Sequence, residues 1–512
     1  MVTVGLAAIW GCGSESFSPP KTPTASPRVT HTAVPATPTA TNTAVPTASN
    51  SALPTQTLPP TATNTPLPTQ TLPPTATATA TPQPTAAVFV YWDQNEEQDA
   101  MLPSGQFVQL VPPWDPNGQM CIFPDSSGRP GQFVTGYNPT LPGQHNLGGP
   151  PNKPLKSPPV GLAIWDRRGG FTGQVAFVPG QYALPGSDIG GDIPPDNAST
   201  FCTDGTLGHC QSDADCTNGG KCSGTFNDNG SFTGCAFDSK GDLFGADIGQ
   251  AQGSSSSPDQ GRIIEWFPPD YTSYCIIFGP TQGGDGPHHV NGTGGLRNPG
   301  MMAVDPQDNL YVPESGAMRV LRFDHSVLPS GPQDCGPDGL LTPPAAKTVF
   351  IQRAQNAPAG IALDPTCSTE TTNCWAVTNI LSNLPPPIGG GNAVNWFTAS
   401  VGAAGMAQPT NMKGPIPKGT YSPFGVAVSP SGDVFFIDIG LICGESGCDT
   451  INDGGGIFKV TFTNGQPSTP VKINSGLNFP TSVTVCDSST RVCPIPATEA
   501  TPVTQPTPSG QG

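Results

Sequence analysis

The alternation of apolar and polar positions in residues 298–324 predicts three short β-strands joined by two tight turns. Apolar residues occupy 301–304 and 310–312. The intervening Asp-Pro-Gln-Asp-Asn is typical of a turn, because proline fixes φ and Asp and Asn bond their own backbone. Charged and apolar residues alternate in 319–323, as expected for a half-buried third strand. This stretch therefore predicts a small antiparallel sheet.

The same pattern recurs along the chain. Clear copies start at 234, 360 and 425, and weaker copies lie at 160–166 and 480–485. The positions that head the six copies are 161, 234, 300, 360, 425 and 481, which gives steps of 56 to 73 residues. One such unit cannot bury its own apolar face, so the units must stack. We therefore predict an all-β fold, a β-propeller of six blades with four antiparallel strands each; seven blades is the alternative.

Ring closure is the second part of this prediction. Residues 87–94, 107–111 and 119–123 have the composition of strands. We expect them to supply part of a blade that is completed by the final copy near 482–485, because such closure removes free sheet edges.

The repeat wording Pro-Gly-Met-Met-Ala-Val-Asp-Pro-Gln-Asp-Asn-Leu-Tyr-Val, at 299–312, resembles the NHL repeat and, more distantly, the senescence-marker/gluconolactonase propellers. The resemblance covers roughly residues 158–486, and it implies a fold rather than a function. In the gluconolactonase-like propellers an axial divalent metal is held by acidic or Asn residues just before the glycine of each innermost strand. The matching positions here hold neither: Val160, Thr233, Pro299, Ala359, Phe424 and Thr481. Since hard cations need several oxygen ligands, this argues against a lactonase-type site.

A second ring of oxygen-bearing residues ends the second predicted strand of four copies. These residues are Asp247, Glu314, Asn379 and Asp438. Equivalent positions of a propeller lie at similar radius, so we predict them as candidate metal ligands, with Ca²⁺ as the ion. The alternative is that each residue caps its own turn. No other cofactor is expected.

Composition narrows the partner classes. Of 512 residues only 11% are charged, yet the net charge is −17, and that acidity lies in the predicted propeller. An acidic surface disfavours nucleic acid and anionic membranes. The chain contains no GxSxG, HExxH or phosphate-cradling loop. Two sets of candidates remain. His288 and His289 are candidates for a pair of metal ligands or for a catalytic base. The basic residues that a quinone-dependent dehydrogenase would need are Arg167, Arg168, Arg262, Arg297 and Arg319.

Apart from Cys12 the chain has fourteen cysteines, an even number that predicts disulfides and hence an oxidising compartment; a zinc site is the alternative, although the sequence contains no CxxC pair. Three pairs are close in sequence: Cys367 with Cys374, Cys443 with Cys448, and Cys486 with Cys493. A further tight group is Cys202, Cys210, Cys216, Cys222 and Cys235, and residues 201–224 are predicted to be a cysteine-rich insert. Asp213 and Asp215 in this insert hint at a calcium loop, but their spacing departs from the EF-hand pattern, which favours a disulfide-braced loop.

The two ends of the chain differ in character from the middle. Residues 1–12 form an apolar run ending at Cys12, which resembles the lipobox of bacterial lipoproteins, so Cys12 is the lipidation candidate; an ordinary secretory segment is the alternative. Residues 13–87 are rich in Pro and Thr and are predicted to be a disordered linker that extends about 3.1 Å per residue. The propeller is predicted over 88–493, followed by a disordered tail at 494–512.

Together these patterns predict an exported protein, either a lipoprotein at the bacterial cell envelope or extracellular. We expect a binding or scaffold module for a protein or glycan at the cell surface, touching the membrane only through a lipid anchor. The alternative is an extracellular enzyme of the lactonase, lyase or sugar dehydrogenase type that acts on a small substrate. A third possibility is a structural component of the envelope. The vacant axial ligand positions favour the non-enzymatic alternatives.

Overall fold

Six four-stranded antiparallel sheets make up the protein in the computed structural model. The structure describes residues 88–94, 97–111, 119–137, 161–178, 201–202, 222–223, 232–247, 261–279, 294–337, 339–352, 357–382, 391–402, 405–417, 422–444, 447–450, 454–477 and 480–495. The lipobox-like segment with Cys12, the Pro/Thr-rich linker and the tail after residue 495 lie outside these residues. Each sheet is one blade, which confirms the predicted six-bladed propeller.

Within blades 2 to 6 the strands follow one another in chain order, and blade 1 combines the first three strands with the last one. Blade 1 contains β1 (Val88–Gln94), β2 (Glu97–Met101) and β3 (Phe107–Val111), and blade 2 contains β4 (Cys121–Ile122), β5 (Phe133–Tyr137), β6 (Gly161–Trp165) and β7 (Phe171–Ala176). A separate ribbon pairs β8 (Phe201–Cys202) with β9 (Cys222–Ser223). Blade 3 contains β10 (Phe232–Phe237), β11 (Leu243–Asp247), β12 (Arg262–Trp266) and β13 (Tyr274–Phe278).

The second half of the ring repeats this order. Blade 4 contains β14 (Ala303–Val304), β15 (Leu310–Glu314), β16 (Arg319–Phe323) and β17 (Lys347–Gln352), and blade 5 contains β18 (Pro358–Leu363), β19 (Thr372–Asn379), β20 (Val394–Ser400) and β21 (Gln408–Pro409). Blade 6 contains β22 (Pro423–Val428), β23 (Val434–Asp438), β26 (Gly455–Val460) and β29 (Val471–Leu477). Its two ribbons are β24 (Leu441–Gly444) with β25 (Gly447–Thr450), and β27 (Phe462–Thr463) with β28 (Gln466–Pro467). Short 3₁₀ turns lie at Asp125–Ser127, Ser315–Ala317, His325–Val327 and Pro332–Asp334.

The final strand, β30 (Val483–Asp487), closes the ring. It becomes the innermost strand of blade 1 by pairing with β1, for example Val90 with Val485. The predicted closing blade is therefore confirmed for 87–94, 107–111 and 482–485. Residues 119–123, however, belong to blade 2, so that part of the prediction is wrong.

The copy predicted at 160–166 is also wrong, because it was assigned to the wrong strand of its blade. Gly161–Trp165 is the third strand of blade 2, whose innermost strand is β4. The confusion has a physical origin, because β6 is buried along its length and ends in the same type of turn as an inner strand. Asp166 Oδ1 accepts from the backbone N–H groups of Arg168 and Gly170, just as Asp238 Oδ1 accepts from Lys240 and Asp242 after the inner strand of blade 3.

The core lies between the blades rather than within one sheet. Apolar side chains from adjacent blades form successive clusters around the ring, and four tryptophans are fully buried in them: Trp92, Trp165, Trp266 and Trp375. This is the burial that a single repeat could not achieve alone.

Four disulfides stabilise the described residues. Cys367–Cys374 and Cys486–Cys493 confirm two predicted pairs. Cys121–Cys235 joins the inner strands of blades 2 and 3, so the expected grouping of Cys235 with the insert cysteines is wrong. Cys275–Cys335 ties the outer strand of blade 3 to the connection that follows β16. Disulfides of this kind indicate an oxidising compartment. Within the described ranges, no helix has the length and apolarity needed to cross a membrane.

The two faces of the ring carry different connections. The loop face is the face at which the inner strands begin and the second strands end, at residues such as Glu314 and Asp438. The turn face is the opposite one, where β1 begins at Val88 and β30 ends at Asp487. Long connections leave from the loop face, at 138–160, 177–231, 248–261, 279–302, 380–393 and 439–454. The turn face has mostly tight turns, with 324–346 as the long exception. The chain thus enters and leaves the propeller on the face opposite the long connections.

Candidate functional site

The inner strands of neighbouring blades are in direct contact where they begin. Met301 N donates to the carbonyl oxygen of Ala359 at 2.8 Å, which brings the inner strands of blades 4 and 5 into direct backbone contact. A Cβ on Gly300 would collide with the Ala359 oxygen, and one on Gly425 would lie 2.8 Å from Met301 Sδ. The buried Met301 side chain thus reaches the inner strand of blade 6, and only glycine allows this close approach.

The axial positions that hold the metal in gluconolactonase-like propellers have structural roles here. Ala359 and Phe424 lie in an apolar cluster. Thr233 Oγ1 donates to the carbonyl oxygen of Pro299 at 2.6 Å, which bridges blades 3 and 4. Thr481 Oγ1 donates to Asp93 Oδ2 at 2.7 Å. Val160 lies outside the described residues, and the residue before the inner strand of blade 2 is instead the buried Met120.

The second ring of oxygen-bearing residues serves the blade each belongs to. Glu314 Oε1 accepts from Arg297 N at 2.9 Å, Asn379 Oδ1 from Ala357 N at 3.4 Å, and Asp438 Oδ1 from Ser422 N at 3.0 Å. Every donor lies in the segment that precedes the inner strand of the same blade. Each acceptor therefore fastens that segment to the end of the second strand. Asn379 Oδ1 and Asp438 Oδ1 also accept from Leu381 N and Gly440 N in the turns that follow them, which is the role that the alternative interpretation gives this ring.

Asp93 is a fifth member of this set that sequence reasoning missed. It accepts from the backbone N–H groups of Thr481 at 3.0 Å and Ser482 at 2.5 Å, so it holds the two ends of the propeller together in blade 1. Burial raises the pKa of Asp93, and burial likewise raises that of Asp438, although hydrogen bonds to both carboxylates act in the opposite direction. An Asp near the end of a predicted strand, at Trp92-Asp93, was the available signal.

Asp247 differs from the others because its partner is a side chain. Arg262 Nη2 donates to Asp247 Oδ2 at 2.6 Å, and both residues are buried. Across the part of the chain that the structure describes, no three His, Cys, Asp or Glu side chains form a group that could hold a metal ion. The structure does not bring Asp247, Glu314, Asn379 and Asp438 together, and their role as calcium ligands stays a prediction.

A cavity of about 470 Å³ opens on the loop face of blade 4. It is lined by Gly295, Arg297, Glu314, Gly316, Ala317, Met318 and Arg319. Arg319 Nε donates to Glu314 Oε2 at 2.6 Å; the glutamate is 1% exposed and the arginine 33%. Two of the five basic residues that the sequence singled out, Arg297 and Arg319, are therefore brought together here.

The walls of this cavity are held by backbone hydrogen bonds between its two segments. Gly316 N donates to the carbonyl oxygen of Arg297, and Ser315 N to that of Asn298, both at 3.2 Å. Because Glu314 also binds Arg297 N, the turn after β15 and the segment before β14 form one unit. The cavity is therefore preorganised rather than shaped by loose side chains.

The other candidate residues lie elsewhere. Arg167 and Arg168 are on the turn face, where Arg167 Nε donates to the carbonyl oxygen of Cys493 at 2.9 Å. The His288–His289 pair, Asp213, Asp215, Cys210 and Cys216 lie outside the described residues. Cys443 and Cys448 face each other in the register of β24 and β25, as do Cys202 and Cys222 in β8 and β9.

The turn face of blade 3 holds a buried acidic group. Asp238, Asp242 and Glu265 are nearly inaccessible to solvent, and no protein group hydrogen-bonds Glu265 Oε2. Burial, reinforced by mutual repulsion, raises the pKa of Asp242 to about 7 and that of Glu265 well above its usual value. The pKa of Asp238 is raised as well, again chiefly by burial. The folded protein therefore holds protons on these carboxyl groups more tightly than the unfolded chain does.

Comparisons with known proteins add similarity of fold only. No family model and no curated protein matches the chain. Solved structures that resemble it include one in a nidogen/laminin complex (10% identity, 78% of this chain and 98% of that chain, TM-score 0.39) and a protein from Lactobacillus plantarum (10%, 78% and 100%, 0.36). A streptogramin B lyase is similar at 11% identity over 80% of this chain and 95% of that chain, with a TM-score of 0.34. At these scores the likeness supports no functional argument.

Proposed function

We propose that this protein is an exported binding module, anchored at the cell surface, that engages a surface glycan or protein through its loop face. The observation that carries the proposal is the separation of the two faces. Long connections leave from the loop face, whereas the chain enters at Val88 and leaves after Asp487 on the turn face. Loops on a rigid scaffold are where binding residues are usually found.

The position of the chain entry fits a tethered protein. A lipid on Cys12 and an extended linker over 13–87 would hold the propeller by its turn face. Because the attachment point lies on the opposite face, the linker would leave the loop face accessible to partners outside the cell. The disulfides are compatible with this location, because they persist in oxidising compartments.

The enzyme alternative receives less support from the channel. The inner strands of neighbouring blades begin in direct contact, and Met301, Ala359 and Phe424 at this level belong to one apolar cluster. A lactonase-type metal site needs oxygen ligands at that level. The described groups that could act on a ligand are instead those of the cavity beside the turn after β15.

A binding screen combined with an activity screen tests the proposal. The full chain, with disulfides intact, would be applied to a glycan array and to intact envelope preparations, and assayed in parallel for hydrolysis of glucono-1,5-lactone with and without added divalent metal. We expect saturable retention by glycans or envelopes and no metal-dependent hydrolysis. Lactone turnover that depends on metal, with no retention on either surface, would replace the binding proposal by the enzyme alternative.

A further inference from the structure

The Arg319 guanidinium is fixed through its Nε, and its terminal nitrogens face the cavity side. Its Nε donates to Glu314 Oε2 at 2.6 Å, and the glutamate is in turn fixed by Arg297 N. The arginine is one-third exposed and lines the cavity, so its terminal nitrogens can meet a ligand there. A guanidinium that is already oriented loses little further freedom when it binds an anion.

The equivalent pair in blade 3 shows what a purely structural version looks like. Asp247 and Arg262 occupy the same register positions as Glu314 and Arg319, at the end of the second strand and the start of the third. Arg262 is 3% exposed, whereas Arg319 is 33% exposed and faces a cavity. Blade 4 thus keeps the ion pair but opens it to solvent.

One residue that lines the cavity has a left-handed backbone although it is not glycine. Met318, at φ 56°, follows the 3₁₀ turn at Ser315–Ala317, and its side chain is 44% exposed. Such a conformation costs on the order of 1 kcal/mol or more and is found at binding sites. Asn298, at φ 48°, directly follows the lining residue Arg297.

We propose that this cavity binds the carboxylate of an acidic sugar, with Arg319 and Arg297 as its cationic contacts. The inference rests on the proposed binding function of the loop face and names the ligand class for one part of it. Arginine matches the planar carboxylate with two parallel hydrogen bonds. A volume of about 470 Å³ is within the usual range for small-ligand sites, and Met318 supplies an apolar surface for the C–H face of the ring.

Titration calorimetry of the full chain at low salt tests this assignment. The probes are D-glucuronate, D-glucose as its neutral counterpart, and inorganic phosphate as a second anion. The variants are Arg319→Gln and Arg297→Gln. Arg297→Gln keeps the backbone N–H of residue 297 hydrogen-bonded to Glu314, so a loss of binding in this variant would not be explained by misfolding. Arg168→Gln removes the same charge from an exposed position on the turn face and serves as the matched control.

We expect D-glucuronate to bind and D-glucose and phosphate to bind at least tenfold more weakly, since a charge-assisted bidentate contact is lost or mismatched. Arg319→Gln and Arg297→Gln should each weaken glucuronate binding at least tenfold, and Arg168→Gln should not. Absence of glucuronate binding, equal phosphate binding, or equal binding by both cavity variants and the wild type would each overturn the assignment. If the variants also keep full retention on glycans or envelopes, the loop-face function stands and only this cavity is excluded.

Discussion

Arg319 and Glu314 form an ion pair of 2.6 Å in which the carboxylate is buried and the guanidinium is partly open to solvent. Its counterpart between Arg262 and Asp247, also 2.6 Å, is buried on both sides. An acidic residue paired with arginine at the same register position is thus buried in blade 3 and lines a cavity in blade 4.

The two pairs should differ in their contribution to stability. Arg262→Met leaves the Asp247 carboxylate buried without its cation, a change that typically costs about 3–5 kcal/mol. Arg319→Met should cost less, because water can reach the position that the guanidinium vacates and Glu314 keeps Arg297 N as a donor. Urea unfolding followed by tryptophan fluorescence measures both. Equal costs for the two variants would show that the blade 4 pair is as structural as that of blade 3.

Stability should decrease as the pH rises through the acidic range. The folded-state pKa values of Asp238, Asp242 and Glu265 lie above their unfolded values, so the folded state binds more protons. The contribution of Asp242 is fully present below about pH 4 and is lost as the pH rises through about 7, its folded pKa; Asp238 and Glu265 act in the same direction.

The melting temperature, measured between pH 4 and pH 8, tests this prediction. Asp242→Asn should reduce the fall in melting temperature over this range, because the amide does not ionise. The matched control is Asp433→Asn, at the corresponding turn position of blade 6, where the carboxylate is paired with Lys459 at 2.8 Å. A melting temperature that rises from pH 4 to pH 7 in the wild type would contradict the assignment of these pKa shifts.

The disulfides should stabilise the propeller according to the length of chain they enclose. Cys121 and Cys235 are 114 residues apart, and Cys367 and Cys374 are 7 apart. On the chain-entropy account, replacing the first pair by serine costs about 5 kcal/mol and replacing the second about 2 kcal/mol. Peptide mapping without reduction should also find Cys443 linked to Cys448 and Cys202 to Cys222, the partners given by strand register. Different partners in the map would contradict the register of these two ribbons.

Calcium should have little effect on stability if the second ring acts only through hydrogen bonds. Glu314, Asn379 and Asp438 already accept from backbone groups, and Asp247 is paired with Arg262. We expect the melting temperature in Ca²⁺ and in chelator to agree within about 1 °C, since mass action stabilises only a state that binds the ion. A calcium-dependent rise that disappears in Asp438→Asn would restore the metal interpretation of this ring.

Sequence patterns predict the strands correctly where the pattern is local. They fail where an inner strand and a third strand have the same pattern. Residues 298–324 have strands and turns close to those expected, since alternation and turn residues specify them directly. Gly161–Trp165 was assigned to the wrong strand, because a buried third strand followed by an Asp-capped turn has the same wording as an inner strand.

The site was predictable only in its parts. Arg297, Arg319 and Glu314 were each candidates, but nothing in their order shows that the segment before β14 and the turn after β15 share hydrogen bonds. Asp93 was missed because its partners, Thr481 and Ser482, lie at the other end of the chain. Contacts across the ring closure depend on the fold as a whole.

The most direct test of the central claim uses two exposed methionines on opposite faces. Met318 is 44% exposed on the loop face, and Met406 is 55% exposed in the turn-face connection between β20 and β21. The full chain would be prepared as Met318→Asp and as Met406→Asp, and its retention on a glycan array and on intact envelopes would be compared with that of the wild type. We predict that Met318→Asp lowers retention at least tenfold while Met406→Asp leaves it unchanged. Loss with Met406→Asp alone, or with neither variant, would contradict binding through this region of the loop face.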